Sequence, residues 1–332
     1  MDILIIGGTR NVGHFLTLEL LRKGHEVTVF NRGQTPDDLP AEVQRLRGDR
    51  GDPGSLAGAL AGRSFDVVVD MALYNADDAE VITGLLDGRT GQYLFLSSGQ
   101  VYLVGEESPR PFAETASEKP LLPSPLRGTR DYEEWLYGVN KAEAEQVLLR
   151  ARQMRGFPVT TLRLPMVNSE RDHFHRIYGY LLRMRDGGPI LLPAGKHLRL
   201  RHVYAADVVQ AITRVIETGI GKGRVYNISQ DETVTIDDFL VLLAETAGHP
   251  LKLKRIDRAV LENFQLLPNC SPFSDPWMSE LDNQKSKQEL GMQYTPLPVY
   301  LAKMVKHYEG SQLPLPDGYP RRREEIRLVS ET

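Results

Sequence analysis

Ile3-Leu4-Ile5-Ile6-Gly7-Gly8-Thr9-Arg10-Asn11-Val12-Gly13 decides the architecture. Four apolar residues stop at a glycine pair, which reads as a short strand buried on both faces. Phe15, Leu16, Leu18, Leu20 and Leu21 then recur at helical spacing, and Gly24 ends that helix. A glycine-rich turn between such a strand and helix lets the backbone come close to a phosphate. The helix start adds unpaired N–H groups and a partial positive charge. Glycines also mark ordinary turns, so the strand–loop–helix context carries the weight.

Outward from this stretch the same alternation continues. Further strands are expected at 26–30, 43–46, 65–70 and 93–96, with helices at 53–60 and 77–86 between them. A strand–helix series of this kind implies a parallel sheet covered by helices on both faces. Residues 103–129 hold five prolines and read as a long functional loop. A long helix over 130–155 and a strand over 159–164 follow. Beyond Pro165 helices are expected near 173–185, 205–217, 235–247, 257–265, 283–289 and 297–309, with strands near 190–192, 199–203, 225–228 and 252–256. The expected fold is α/β: a Rossmann-type doubly wound parallel sheet with a smaller C-terminal α/β substrate lobe. Residues 1–165 form the nucleotide-binding domain and 166–309 the smaller lobe, interleaved with the end of the sheet. Residues 310–332 form a tail expected to be partly disordered.

The chain has 332 residues and a net charge of −4, with 41% apolar and 25% charged residues. A dominant nucleic-acid or membrane footprint is not expected from that balance. The single cysteine, Cys270, cannot form an internal disulfide. With no signal-peptide pattern at the start and no long apolar run, the cytoplasm is the expected location. The histidines show no metal-ligand spacing, His173 and His175 included, and no metal is expected.

In such a sheet an acidic residue at the end of the second strand would bind an adenosine ribose 2′-hydroxyl and favour NAD. The strand here ends Phe30-Asn31-Arg32-Gly33, without a carboxylate. Arg32, and Arg10 inside the glycine loop, suit a 2′-phosphate, so NADP is the expected cofactor, with NAD as the alternative. Either arginine is otherwise a solvated surface residue. Gly7, Thr9, Asn11, Val12 and Gly13 complete the loop. Asp49, beside Arg50, either meets the adenine amino group or holds a turn; Asp52 before Pro53 reads as a helix cap.

Tyr137 and Lys141 lie four apart and share a helix face. An ammonium beside a phenol favours the phenolate, which would bring tyrosine closer to acid–base work near neutral pH. Ser97 and Ser98 end the fifth strand, where ligands bind in open α/β sheets. A serine there can bond both a substrate oxygen and the tyrosine; strand-end capping is the alternative, retained for Ser97.

Together these motifs resemble the short-chain dehydrogenase/reductase superfamily of the extended type, the NAD-dependent epimerase/dehydratase family. The resemblance rests on the Gly7–Gly13 loop, Gly48-Asp49, Asp70-Met71-Ala72, Ser97-Ser98 through Tyr102, and Tyr137 with Lys141. It extends to Leu162-Arg163-Leu164-Pro165, the 203–208 segment, Tyr226-Asn227-Ile228 and the stretch from Asp282 to Gly291. It implies that Ser98, Tyr137 and Lys141 are catalytic, with Tyr137 the acid/base and Lys141 on the nicotinamide ribose. Asn11 and Val12 would lie beside the pyrophosphate, Pro165 and Val167 would face the nicotinamide, and Met71, Ala72 and Leu96 would line the cofactor. Arg10 replaces the middle glycine of the family's loop, as in a subgroup resembling chloroplast stem-loop-binding and isoflavone-reductase-like proteins. Tyr204 stands where sugar-nucleotide enzymes carry a histidine.

The expected function is an NAD(P)-dependent epimerase, dehydratase or reductase. It would move a hydride between nicotinamide and a carbinol carbon of a small molecule, a sugar nucleotide among the candidates. Glu114, Arg199 and Arg201 are candidates for substrate contact, each also readable as a surface residue. The alternative is an RNA- or ribosome-associated binding protein on the same scaffold. Trp135, Leu136, Val147 and Leu148 on the Tyr137 helix either pack inside the monomer or pair two copies; a homodimer is expected.

Overall fold

The computed structural model describes residues 1–195, 199–311 and 313–331. In chain order the elements are β1 (Asp2–Ile6), α1 (Asn11–Arg22), β2 (Glu26–Asn31), β3 (Gln44–Arg47), α2 (Pro53–Leu60), β4 (Phe65–Asp70), α3 (Ala76–Leu85), β5 (Thr90–Ser98), α4 (Arg130–Arg155) and β6 (Val159–Leu164). Then come β7 (Val167–Asn168), α5 (Arg176–Arg185), β8 (Ile190–Pro193), β9 (Val203–Tyr204), α6 (Ala205–Thr218), β10 (Val225–Asn227), α7 (Ile236–Ala247) and β11 (Leu253–Ile256). Helices α8 (Arg258–Asn263), α9 (Gln284–Leu290), α10 (Leu297–Glu309) and α11 (Arg322–Glu331) complete the order.

Seven parallel strands form one sheet in the order β10-β6-β5-β4-β1-β2-β3. The order reverses beside β1, so the crevice outside its carboxyl end is the natural ligand site of such a sheet. Alternate strand residues feed two cores. Ile3, Ile5, Val67, Val69, Leu94 and Leu96 pack with Leu16 and Leu20 of α1 and Val208 and Ile212 of α6. Leu4, Ile6, Val68, Tyr93 and Phe95 pack with Leu56 of α2, Ile82 of α3 and Val147 and Leu148 of α4. Burial on both faces explains why these strands read as unbroken apolar runs.

Met1–Val167, Val203–Ser229 and Ser279–Tyr294 form one compact unit. The second comprises Asn168–His202, Gln230–Met278 and Thr295–Thr332 within the described residues. It pairs β8 with β11 in parallel and has its own small core of Leu191, Ile256, Leu261, Leu266, Cys270 and Leu328. The expected strand at 199–203 shortens to Val203–Tyr204.

The described part of the 310–332 tail carries a helix. Helix α11 docks through Glu325, whose carboxylate takes the Arg183 Nε at 2.9 Å, with both side chains 1% exposed. Arg322 adds bonds to Asp186 and to the Pro189 carbonyl. Buried charge pairing, invisible to composition, fixes this segment. Among the described residues no helix is long and apolar enough to cross a membrane.

Candidate active site

The glycine loop follows β1 directly. Gly7 has φ +102°, a conformation that favours glycine. A Cβ on Gly13 would lie 2.7 Å from the Gly8 Cα, so only a bare residue lets α1 come this close to the loop. The Thr17 hydroxyl fastens the arrangement by donating to the Gly8 and Gly13 carbonyls. Arg10 occupies the N-cap of α1 without a side-chain cap bond, and no acidic residue sits in the first turn. The positive end of α1 is therefore unopposed by any carboxylate of its own first turn.

A cleft of ≈ 500 Å³ opens there, lined by Gly7, Thr9, Arg10, Asn31, Arg32, Asp49, Arg50, Ala72, Tyr74 and their neighbours. Arg10 hydrogen-bonds the Thr35 hydroxyl at its rim, and Arg32 is exposed. The Asn31 side chain accepts from the Gly33 N–H and from Arg47. Asp49 accepts from the Gly51 N–H at 2.9 Å, so it holds a turn as well as lining the cleft. Asp52 caps α2 through the Gly54 N–H. Met71 packs on the sheet core, and its N–H donates to the Ile6 carbonyl.

Arg50 is the polar centre of the cleft wall. Its Nη2 donates to Asp70 at 2.9 Å, and Asp70 also receives the Tyr93 hydroxyl at 2.7 Å. The Arg50 Nε and Nη1 and the Asn11 Oδ1 are buried without a hydrogen-bond partner among the described residues. Orphaned buried donors, an uncapped helix start and a glycine cradle are what a dinucleotide would satisfy. The residues present fit that group.

At the end of β5, Ser98 accepts from the Gln100 N–H and shares a hydrogen bond with the Tyr137 hydroxyl. Gln100 is itself tied to Glu134 of α4 at 2.6 Å. A Cβ on Gly138 would lie 2.6 Å from Val104, so that glycine lets α4 sit against the turn carrying Gln100. These contacts bring Ser98 and Tyr137 together.

Lys141 is 2% exposed. Its Nζ donates to the Leu73 carbonyl at 2.6 Å and the Leu96 carbonyl at 3.1 Å, and lies 4.9 Å from the Tyr74 ring centre and 5.9 Å from that of Tyr137. Burial lowers its pKa to about 8, against the opposing pull of Asp70 and Glu145. Burial likewise pushes the Tyr137 phenol up to about 12, although the Ser98 bond acts the other way. A lysine four residues away on the same helix face would by itself bring the phenol down. In this structure desolvation is the largest effect on the phenol, and the Ser98 hydrogen bond is what opposes it.

None of the three substrate candidates is among the residues lining the cleft. Glu114 accepts from the Asn227 N–H at 2.9 Å and lines a different cavity from the cleft. Arg199 is exposed in the second unit; Arg201 is buried there and donates to the Gln230 carbonyl. Ser97 does not cap the strand but bonds Glu145, which also holds Arg163. Pro165 and Val167 follow β6, the first buried and the second half-buried. Val147 and Leu148 belong to the monomer's own core, while Trp135 and Leu136 are half-buried. Sequence reasoning missed the role of Asp70 as partner of Arg50, and it missed Tyr74. A carboxylate closing the apolar run Val67-Val68-Val69 was the available signal for Asp70. Among the described residues no cluster of three or more His, Cys, Asp or Glu is placed to hold a metal.

Comparison with known proteins accords with this geometry. The chain is 28% identical over 263 residues to the chloroplast stem-loop binding protein of 41 kDa b of Arabidopsis thaliana, covering 75% of this chain and 64% of that protein. It thus spans less than two thirds of that relative's length. It is 22% identical over 327 residues to UDP-glucose 4-epimerase of Corynebacterium glutamicum, covering 88% and 90% of the two chains. The crystal structure of dTDP-glucose 4,6-dehydratase from Bacillus anthracis in complex with NAD shares the fold, with TM-score 0.74, 17% identity and coverage of 94% and 97%. The model of the NAD-dependent epimerase/dehydratase family matches residues 3–229, and the chain belongs to that family.

Proposed function

We propose that the chain is an NADP-dependent oxidoreductase or epimerase acting at a carbinol carbon of a small substrate, with sugar nucleotides the first class to test. The observation carrying this reading is the hydrogen-bonded Ser98 and Tyr137, with Lys141 on the same helix face, in the unit that bears the glycine-loop cleft. Family membership and the likeness to UDP-glucose 4-epimerase support it. The preference for NADP rests on Arg10 and Arg32 at the cleft rim and on Asn31 where a ribose-binding carboxylate would stand.

The α1 start and the Gly7–Gly13 loop would hold the pyrophosphate, and Arg50 with Asp49 the adenine end. When bound, the nicotinamide supplies or accepts the hydride. Tyr137 gives its hydroxyl proton to the substrate oxygen during reduction, or takes one during oxidation, and Ser98 holds that oxygen. Lys141, whose pKa of about 8 leaves it mainly charged at neutral pH, would stabilise the tyrosinate that forms and could donate to the nicotinamide ribose. Pro165 and Val167 would border the nicotinamide, with Met71, Ala72 and Leu96 along the cofactor. Incubation of the purified protein with NADPH and a panel of oxidised and hydroxylated sugar nucleotides tests the reading. Substrate-dependent change in nicotinamide absorbance, or interconversion of epimers, is expected. Failure across the panel would remove sugar nucleotides from it.

The likeness to a stem-loop binding protein favours one second reading, an RNA-binding protein on the same scaffold. Specific, salt-dependent RNA binding without any turnover would establish it. The reading also includes a homodimer through the helix bearing Trp135 and Leu136, which light scattering measures.

A further inference from the structure

A second cavity, of ≈ 410 Å³, lies between the later half of α4 and the β6–β10 edge of the sheet, apart from the nucleotide cleft. Most of its charged residues already have polar partners. Arg163 is held by Glu145, Arg224 is paired with Glu289, Lys285 donates to the Val225 carbonyl, and Glu114 holds the Asn227 N–H. Glu118, which is exposed, and Arg152 lack such partners among the described residues, and Arg152 is the cation of the two. Its half-buried guanidinium lines the cavity with no ion pair or side-chain hydrogen bond among the described residues.

The backbone is shaped to accept it there. A Cβ on Gly223 would lie 1.7 Å from the Arg152 Cζ, so the guanidinium lies flat on a residue that has no side chain. Gly223 also has φ +79°, so both its conformation and its neighbour exclude larger residues. An arginine placed this way offers a planar fork of donors, the match for a carboxylate or phosphate. Thr115, Ser117 and Gln146 supply hydroxyl and amide groups elsewhere in the lining, and Leu148 and Val159 an apolar wall. The volume is that of a small-molecule site.

We infer that this cavity is a binding site for a small hydroxylated molecule bearing an oxyanion, with Arg152 as the group that takes the anion and Gly223 as the residue that seats Arg152. The inference does not depend on the reaction proposed for the nucleotide cleft.

Isothermal titration of the full chain with glucose 6-phosphate, gluconate, inorganic phosphate and glucose tests it. At least one of the first two is expected to bind, and to lose about ten- to hundredfold in affinity in Arg152→Gln. Whichever of the two binds tells phosphate from carboxylate. Arg152→Lys, which keeps the charge and loses the fork, should fall between. Unfolding midpoints matching the wild type, measured on both variants, separate lost binding from lost folding. The inference fails if neither glucose 6-phosphate nor gluconate binds, or if glucose binds as well as either. It also fails if phosphate alone binds, or if Arg152→Gln binds as the wild type does.

Discussion

The Arg50 guanidinium and the Asp70 carboxylate, at the ends of non-adjacent strands, meet at 2.9 Å where Arg50 lines the nucleotide cleft. Asp70 is fully buried and Arg50 nearly so. A buried pair of this kind adds little over an apolar substitute, but breaking one half leaves an uncompensated charge. Arg50→Met should therefore lower unfolding free energy by about 3 kcal/mol in urea titration. Arg50→Met with Asp70→Leu should recover much of that loss. A change in Arg50→Met below about 1 kcal/mol would show that Tyr93 and the Ala72 N–H suffice for Asp70.

Lys141 sets a pH dependence of stability. Its folded pKa, about 8, lies below the ordinary value of 10.5, so the unfolded chain binds more protons between those two values. Stability then rises with pH across that window; the penalty for burying the ammonium is fully present below about 8 and relieved towards 10.5. The gap amounts to about 3 kcal/mol. Lys141→Met should gain stability at neutral pH, by up to that amount, and lose its advantage as pH rises through the window. Unfolding curves at neutral and alkaline pH read this directly, and a pH-independent difference would contradict it.

Gly13→Ala would drive a Cβ into the Gly8 backbone. NADPH affinity, followed by nicotinamide fluorescence, should fall at least about tenfold. Gly58→Ala in α2, where the added methyl meets nothing within 4 Å, should leave affinity unchanged and raise stability by about 0.5–1 kcal/mol. Equal behaviour of the two variants would remove the glycine loop from the binding site.

Arg32 is expected to carry cofactor choice. Wild-type protein should bind NADP more tightly than NAD. Arg32→Ala should lose about tenfold for NADP while leaving NAD within about twofold. A wild-type preference for NAD in the same titration would reverse the reading of the β2 end.

Much of the fold was legible because its cause is local. Strands buried on both faces appear as apolar runs, and Gly7, Gly24 and Gly156 mark turns and helix ends where φ is positive. The helix bearing Tyr137 and Lys141 matches its expected bounds because Thr129 caps its start and Gly156 its end. The site was legible only as a set of candidates. Glu114 reads as a substrate candidate or a surface residue, and its bond to the Asn227 N–H, 113 residues away in sequence, exists only in the folded chain. The direction of the Tyr137 pKa depends on burial, which the four-residue spacing to Lys141 does not contain. Asp70 becomes the partner of Arg50 only through tertiary contact across strand ends. The burial of Glu325 against Arg183 is not visible in the Arg-rich composition of the tail.

The central claim is that Tyr137 moves the proton in a nicotinamide-linked reaction. Tyr137→Phe, compared with wild type in NADPH titration and in turnover of whichever sugar nucleotide is active, tests it most directly. The account predicts cofactor affinity within about twofold and a turnover loss of at least about a hundredfold. Wild-type turnover in the variant would contradict it.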